Sequence, residues 1–157
     1  MRVLLQRVRS ASVTVDGKAV GEIGEGLLVL VGIGGNDSTD QLPRMVARIL
    51  DLRIFEDETG KMNLSLRELA TRSPSQYGLL LVSQFTLYAD TRKGRRPSFT
   101  RAASPGQART LIAAFAATLR DQGIQVAEGS FGEHMVVALE NDGPVTIWLD
   151  SDEFPSP

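Results

Sequence analysis

The strongest constraint on this chain is an apolar run that ends abruptly in polar groups. Gly78-Leu79-Leu80-Leu81-Val82 reads as a strand buried on both faces. Ser83-Gln84-Phe85-Thr86-Leu87 follows it directly. Side chains alternate across a strand, so an extended continuation puts Ser83 and Phe85 on one face and Gln84 and Thr86 on the other. Burying so much hydrogen-bonding capacity at the end of a core strand is unfavourable unless partners are supplied. Either the protein supplies them or a ligand does. The simpler alternative is a strand end that turns polar as it meets solvent.

Leu27-Leu28-Val29-Leu30-Val31 is a second wholly apolar strand, closed by the glycine-rich stretch from Gly32 to Asp37. That stretch lacks the Gly-Lys-Ser/Thr ending of a phosphate-binding loop, so it reads as an ordinary loop. Residues 2–9 read as a first strand. Val13-Thr14-Val15, Asp16-Gly17 and Lys18-Ala19-Val20 form a hairpin signal, with Asp-Gly suited to a turn needing positive φ. Arg53 to Glu56 and Met62 to Leu66 read as two further strands around a turn at 57–61. Residues 67–77, rich in Arg, Ser and Pro, read as a surface loop. Met135 to Leu139 and Val145 to Leu149 read as two late strands joined by a turn at 140–144.

Two helices are expected. The first spans about 39–52, with Leu42, Met45, Val46, Ile49 and Leu50 on one face. Its start is open: Ser38 with Gln41 resembles a capping box, whereas Asp40 as cap puts Pro43 in the first turn. The second is capped by Ser104, begins at Pro105 and ends at Gly123. Its buried face is Ala108, Leu111, Ile112, Phe115, Ala116 and Leu119. Residues 1–157 suit one domain, and the tail from Phe154 is expected to fray. The fold class is α+β: a curved, β-barrel-like sheet with two main helices packed on it.

Composition narrows the chemistry. There is no cysteine, which removes disulfides, thiolate nucleophiles and the common zinc frameworks. The N-terminal apolar run is too short for a signal peptide, and no stretch approaches a membrane span, so a soluble cytoplasmic protein is expected. His134 is the only histidine, and no Gly-x-Ser-x-Gly elbow accompanies it. Glu56-Asp57-Glu58 reads as a solvated turn, so no metal or cofactor is expected. General bases are therefore scarce. An enzyme with this inventory must rely on backbone groups, hydroxyls or the substrate itself.

The net charge is only −2, so nucleic-acid binding requires a local patch. Residues 91–101 supply one: Arg92, Lys93, Arg95, Arg96 and Arg101 without an acid. Gly, Pro, hydroxyls and Phe99 are interleaved there, which suits phosphate contacts and stacking on an unpaired base. Asn141-Asp142-Gly143-Pro144 has a second reading besides a turn. A Gly-Pro bond is cis at a cost of roughly 0.5–1 kcal/mol. With no side chain at Gly143, its carbonyls could gauge the size of a small substrate.

Several collinear segments together resemble the D-aminoacyl-tRNA deacylase family. They are Gln6-Arg7-Val8 with Ala11-Ser12-Val13, Leu52 to Asp57, Lys61 to Ser65, Ser83 to Asp90, Lys93 to Phe99, Phe131-Gly132 with Met135, and Asn141 to Thr146. The resemblance implies a homodimer of barrel-like subunits with active sites at the interface, and no cofactor. It implies hydrolysis of the ester joining a D-amino acid, or glycine, to the terminal adenosine of tRNA, including glycine mischarged on tRNA-Ala. It assigns Ser83, Gln84, Phe85 and Thr86 to the pocket wall. Gly143-Pro144 becomes a cis element that enters the partner's pocket and rejects L side chains, braced by Arg7. Phe131 and Met135 would border the adenosine, and Arg92, Lys93, Arg95 and Arg96 would meet RNA. The family usually carries Ala and then an acidic residue after Phe-Gly; this chain has Glu133-His134.

Two mechanisms are compatible with these residues. In one, the terminal ribose 2′-hydroxyl assists the attacking water, with backbone N–H donors near Phe85 and Thr86. In the other, Thr86 is a nucleophile. A non-catalytic RNA-binding module and a structural homodimer without a ligand are the competing classes.

Overall fold

The computed structural model describes residues 1–155. Ser156 and Pro157, which the expected frayed tail includes, lie outside the described residues. Strand β1 (Arg2–Val15) turns through Asp16 (φ 49°) and Gly17 (φ 75°) into β2 (Lys18–Ile23), the expected hairpin. β3 (Glu25–Gly32) pairs antiparallel with β1, then parallel with β6 (Tyr77–Ser83), which pairs parallel with β7 (Gln125–Glu128). The short strand β7 was not expected from the sequence.

The two apolar runs show why this sheet is buried on both sides. Leu27, Val29, Val31, Leu79 and Leu81 point into the larger core, beneath the helices. Leu28, Leu80 and Val82 point the other way, into a second cluster with Val8, Val13 and Ile23. Period two thus shares one continuous apolar run between two cores. The sheet curls into a half-barrel. At its tightest point Gly26 has φ +148°, and a Cβ there would stand 1.8 Å from the Gly78 carbonyl oxygen.

Helix α1 (Leu42–Asp51) is preceded by a 3-10 turn over Thr39–Gln41. Asp40 is not the cap: Ser38 caps the 3-10 turn, and Gln41 is the residue before α1. Ser38 and Gln41 form the capping box, but on the 3-10 turn, while Pro43 sits in the first turn of the α-helix. Helix α3 (Pro105–Asp121) begins and ends as read, with Ser104 as cap and Gly123 at φ 77°. Its buried side is Leu111, Ile112, Phe115, Ala116 and Leu119, with Ala108 half-buried.

Two expectations are corrected. Residues 67–77 are not a loop: α2 (Leu66–Arg72) occupies most of that stretch, and Tyr77 already belongs to β6. Ser65 and Glu68 close a reciprocal capping box, a device that stabilises by about 1 kcal/mol. There are accordingly three α-helices rather than two. Residues 140–144 are not a turn between two strands. β8 (Val136–Asp150) runs through them and pairs with β1 from Arg2 to Thr14, absorbing the irregularity as register shifts near Val8. Phe154 is packed against the larger core. Arg44 and Arg48 lie 5.3 and 5.4 Å from its ring centre, and Arg44 donates to the Pro155 carbonyl.

Strands β4 (Arg53–Glu56) and β5 (Met62–Ser65) form a separate two-stranded ribbon. Asp57 shapes its turn by accepting from Thr59, Lys61 and Asn63, and these bonds hold its carboxyl well below the usual carboxylate range.

Candidate active site

β6 ends at Ser83, and the chain does not continue as a strand. Gln84 (φ −144°, ψ 78°) breaks the extended path, and Phe85–Tyr88 form a 3-10 turn. The expected alternation of Ser83 with Phe85 and Gln84 with Thr86 therefore stops at Ser83. The turn lifts the Phe85 ring into the open, where it is 57% exposed. The first bond inside the turn runs from the Leu87 amide to the Gln84 carbonyl (3.2 Å). The amides of Phe85 and Thr86 precede that bond, so the turn itself gives them no acceptor.

This end of the sheet opens into a cavity of about 370 Å³. Ser83, Gln84 and Phe85 form one wall, and Phe99 and Phe131 contribute aromatic rings. Ala108 and Ile112, on the first turns of α3, close the apolar side. One end is polar and the rest apolar, the arrangement that orients a small ligand. Thr86 stands exposed outside the lining, where its hydroxyl accepts a hydrogen bond from the Gln84 side-chain amide. Met135 lies behind the lining, packed on the second core. Glu133 and His134 are exposed.

The basic loop is tied to this cavity. The Phe85 and Phe99 rings meet edge to face, 5.0 Å apart at 72°. Asp90 and Ser98 close the loop's base through two backbone bonds of 2.8 and 2.9 Å. Asp90 also accepts from the Arg92 guanidinium (2.9 Å) and backbone amide (3.1 Å). These bonds hold the Asp90 carboxyl well below the usual carboxylate range. Arg92 is thus engaged, whereas Lys93, Arg95 and Arg96 are exposed and form no ion pair among the described residues.

Gly143, Pro144 and Arg7 do not border that cavity. They form a second group on β8 and β1. The Gly143-Pro144 peptide bond is cis, and both residues are exposed. Arg7 is only 4% exposed. It donates to the Asp142 carbonyl (3.2 Å) and the Ile54 carbonyl (2.6 Å), and it pairs with the carboxylates of Asp142 (3.0 Å) and Glu56 (3.7 Å). β4 is therefore the platform that fixes Arg7. Sequence reasoning missed Asn141, whose amide donates to the carbonyls of Arg7 (2.9 Å) and Val145 (3.0 Å), stapling the strand on either side of Gly143-Pro144. It also missed Ile54 and Asp142 as the partners that seat Arg7. Among the described residues, no group of three or more His, Asp or Glu side chains is placed to hold a metal ion.

Comparison with solved structures places this architecture. A c-Myc DNA unwinding element binding protein superposes with a TM-score of 0.87 at 41% identity, covering 99% of this chain and all of the other. A probable eukaryotic D-amino acid tRNA deacylase shares the fold with a TM-score of 0.80 at 21% identity, over 94% of this chain and 97% of the other. Fold and cavity together define the class: a small α+β half-barrel of the deacylase fold, with an aromatic-lined cavity beside a cationic loop. The family described as D-Tyr-tRNA(Tyr) deacylase matches residues 4–150. A D-aminoacyl-tRNA deacylase of Thermomicrobium roseum is 58% identical over 98% of this chain and 96% of its own length. One from Deinococcus radiodurans is 52% identical over 96% of this chain and 99% of its own length. The chain belongs to the D-Tyr-tRNA(Tyr) deacylase family.

Proposed function

We propose that the chain hydrolyses the ester of D-aminoacyl-tRNA, releasing the D-amino acid and intact tRNA, with Ser83 to Phe85 as one wall of the site. The observation that carries this reading is the cavity itself. It is apolar and aromatic where a terminal adenine would lie, polar at one end, and flanked by Lys93, Arg95 and Arg96, cations with no ion pair among the described residues. The direct test compares D-Tyr-tRNA with L-Tyr-tRNA. The D ester should be hydrolysed and the L ester should decay at its uncatalysed rate; equal uncatalysed decay of both would leave only an RNA-binding module. Its substrate is a translation intermediate, which places its work in the cytoplasm.

Water attacks the ester carbonyl and the ribose oxygen leaves with a proton. The terminal 2′-hydroxyl assists that proton transfer, and the Phe85 and Thr86 amides face the developing oxyanion. Thr86 does not serve as the nucleophile, because its partner is the Gln84 carboxamide, which is not a base. Thr86→Ala should therefore keep turnover within roughly tenfold of the unmodified enzyme, whereas loss of a nucleophile costs on the order of 10⁶-fold. Substrate ending in 2′-deoxyadenosine should be the poor one.

Chirality is judged by Gly143-Pro144 of a second subunit, in a homodimer. Two features support this. The pair is exposed and separate from the cavity in its own subunit. β8, which carries it, pairs only with β1 and exposes Val136, Leu139 and Trp148. An L side chain would strike the Gly-Pro carbonyls, a D side chain would point away, and glycine, including glycine on tRNA-Ala, would pass. Lys93, Arg95 and Arg96 meet the acceptor-end phosphates. Neutralising all three should flatten the slope of log affinity against log salt by about 2, measured with single-stranded acceptor-end RNA.

A further inference from the structure

Arg109 is a charged group beside the cavity lining that none of the roles above uses. It lies one residue after Ala108, a lining residue of the first turns of α3. Its guanidinium carbon sits 4.7 Å from the centre of the Phe131 ring. Its Nη2 lies 3.7 Å from the point where a Cβ on Gly132 would stand. Phe131 and Gly132 both line the cavity and Arg109 does not, so the guanidinium stacks on a lining ring from just beside the cavity. It makes no ion pair among the described residues, unlike Arg2, Arg7, Arg9, Arg67, Arg92 and Arg120. Its N–H groups remain available, because stacking on an aromatic face does not consume them.

We propose that Arg109 binds the phosphate on the 5′ side of the substrate's terminal nucleotide. The inference rests on the deacylase reading above and extends it. The reacting ester belongs at the polar end, beside Ser83 and Gln84, and the adenine in the apolar part, against Phe131. The remaining arm of that nucleotide, its 5′ phosphate, must then leave by the rim. A planar guanidinium fixed against the ring presents paired donors to such an anion, and charge-assisted bonds of this type are the stronger ones. Phe131 would thus be held between the base and Arg109, so that one side chain orients the ring and anchors the backbone.

The test uses two small substrates, 3′-O-(D-tyrosyl)adenosine and the same ester bearing a 5′-phosphate, on the unmodified protein and the Arg109→Ala and Arg109→Lys variants. The unmodified enzyme should show a KM roughly tenfold lower for the phosphorylated ester, with kcat little different between the two. Arg109→Ala should bring that ratio close to one, and Arg109→Lys should keep part of it. If Arg109 only props Phe131, Arg109→Ala would slow both substrates and preserve the ratio, which overturns the proposal. Equal KM values in the unmodified enzyme overturn it too, while leaving the deacylase reading intact. Hydrolysis of neither ester, together with stable D-Tyr-tRNA, would overturn the deacylase reading and this inference with it. Thermal melting confirms that each variant is folded, and Arg109→Gln replaces any variant that is not.

Discussion

Gly143→Ala is expected to reduce kcat/KM for D-Tyr-tRNA by about 100-fold and to lower stability by about 2 kcal/mol. Gly143 has φ +118°, where an L side chain is strained. Space is lacking as well. A Cβ there would stand 2.8 Å from Val145 Cγ2, 3.0 Å from Arg7 Nη2 and 3.1 Å from the Val145 nitrogen. Two of those neighbours are confined: Arg7 is buried with its own bonds, and the Val145 nitrogen is backbone. The strand must shift, and with it the carbonyls proposed to judge the substrate. A displacement of about 1 Å is enough for a hundredfold loss in a positioned reaction. Gly60→Ala separates strain from position. Gly60 has φ +75° but nothing within 4 Å of a new Cβ, so that variant should lose stability and keep its activity. Rates on D-Tyr-tRNA and urea unfolding of both variants decide the matter; undiminished activity in Gly143→Ala would count against the role given to this residue.

Arg7→Ala carries the second large effect. The guanidinium is buried, and its removal orphans the Ile54 and Asp142 carbonyls and leaves the Asp142 carboxylate without its closest partner. Breaking a buried pair by removing one member costs about 3–5 kcal/mol. Asp142 and Glu56 are 34% and 58% exposed, which screens their share and places the loss at the lower end, about 3 kcal/mol. Selectivity should change as well as stability. With Asp142 left to the exposed Arg9 alone and only Asn141 stapling the strand, Gly143-Pro144 is held less firmly, and the ratio of D-Tyr-tRNA to L-Tyr-tRNA hydrolysis should fall by about tenfold. Arg7→Lys should restore little, since one ammonium does not reproduce a fork that meets two carbonyls and two carboxylates. The D/L ratio measured on protein that remains folded is the deciding number; an unchanged ratio would mean that Arg7 supports the fold and not the gauge.

Much of the fold was legible because local chemistry and tertiary structure agree. Asp16-Gly17 demands a tight hairpin turn, and both residues have positive φ. Ser104, Pro105 and Gly123 mark α3 by the groups its ends need. α2 was masked by the Arg, Ser and Pro around it, although Ser65 and Glu68 spelled its cap and Leu66, Leu69 and Ala70 its buried side. At residues 141–144 turn-forming residues misled the reading. Pairing along β1 outweighs their preference, and Asn141 stitches the irregular stretch into the strand with its side chain.

The site was legible in position and not in conformation. A polar cluster ending a core strand drew attention to Ser83 to Thr86, and a cavity lined by Ser83, Gln84 and Phe85, though not Thr86, opens there. The 3-10 turn that exposes Phe85 could not follow from alternation, because it depends on Gln84 leaving the extended path. The division of the candidate residues into two separate groups depends on sheet order and on where β8 lies, which no local pattern encodes. The seat of Arg7 against Ile54 depends likewise on a contact between residues 47 positions apart.

The central claim is that selection works by exclusion: the site rejects an L side chain and recognises no feature of a D one. Rates on one tRNA charged in turn with glycine, D-alanine and L-alanine test it most directly. The account predicts that glycyl- and D-alanyl-tRNA are hydrolysed at similar rates, within about tenfold, and that L-alanyl-tRNA persists at its uncatalysed rate. Glycyl-tRNA persisting alongside the L-alanyl ester, while the D-alanyl ester is cleaved, would contradict it.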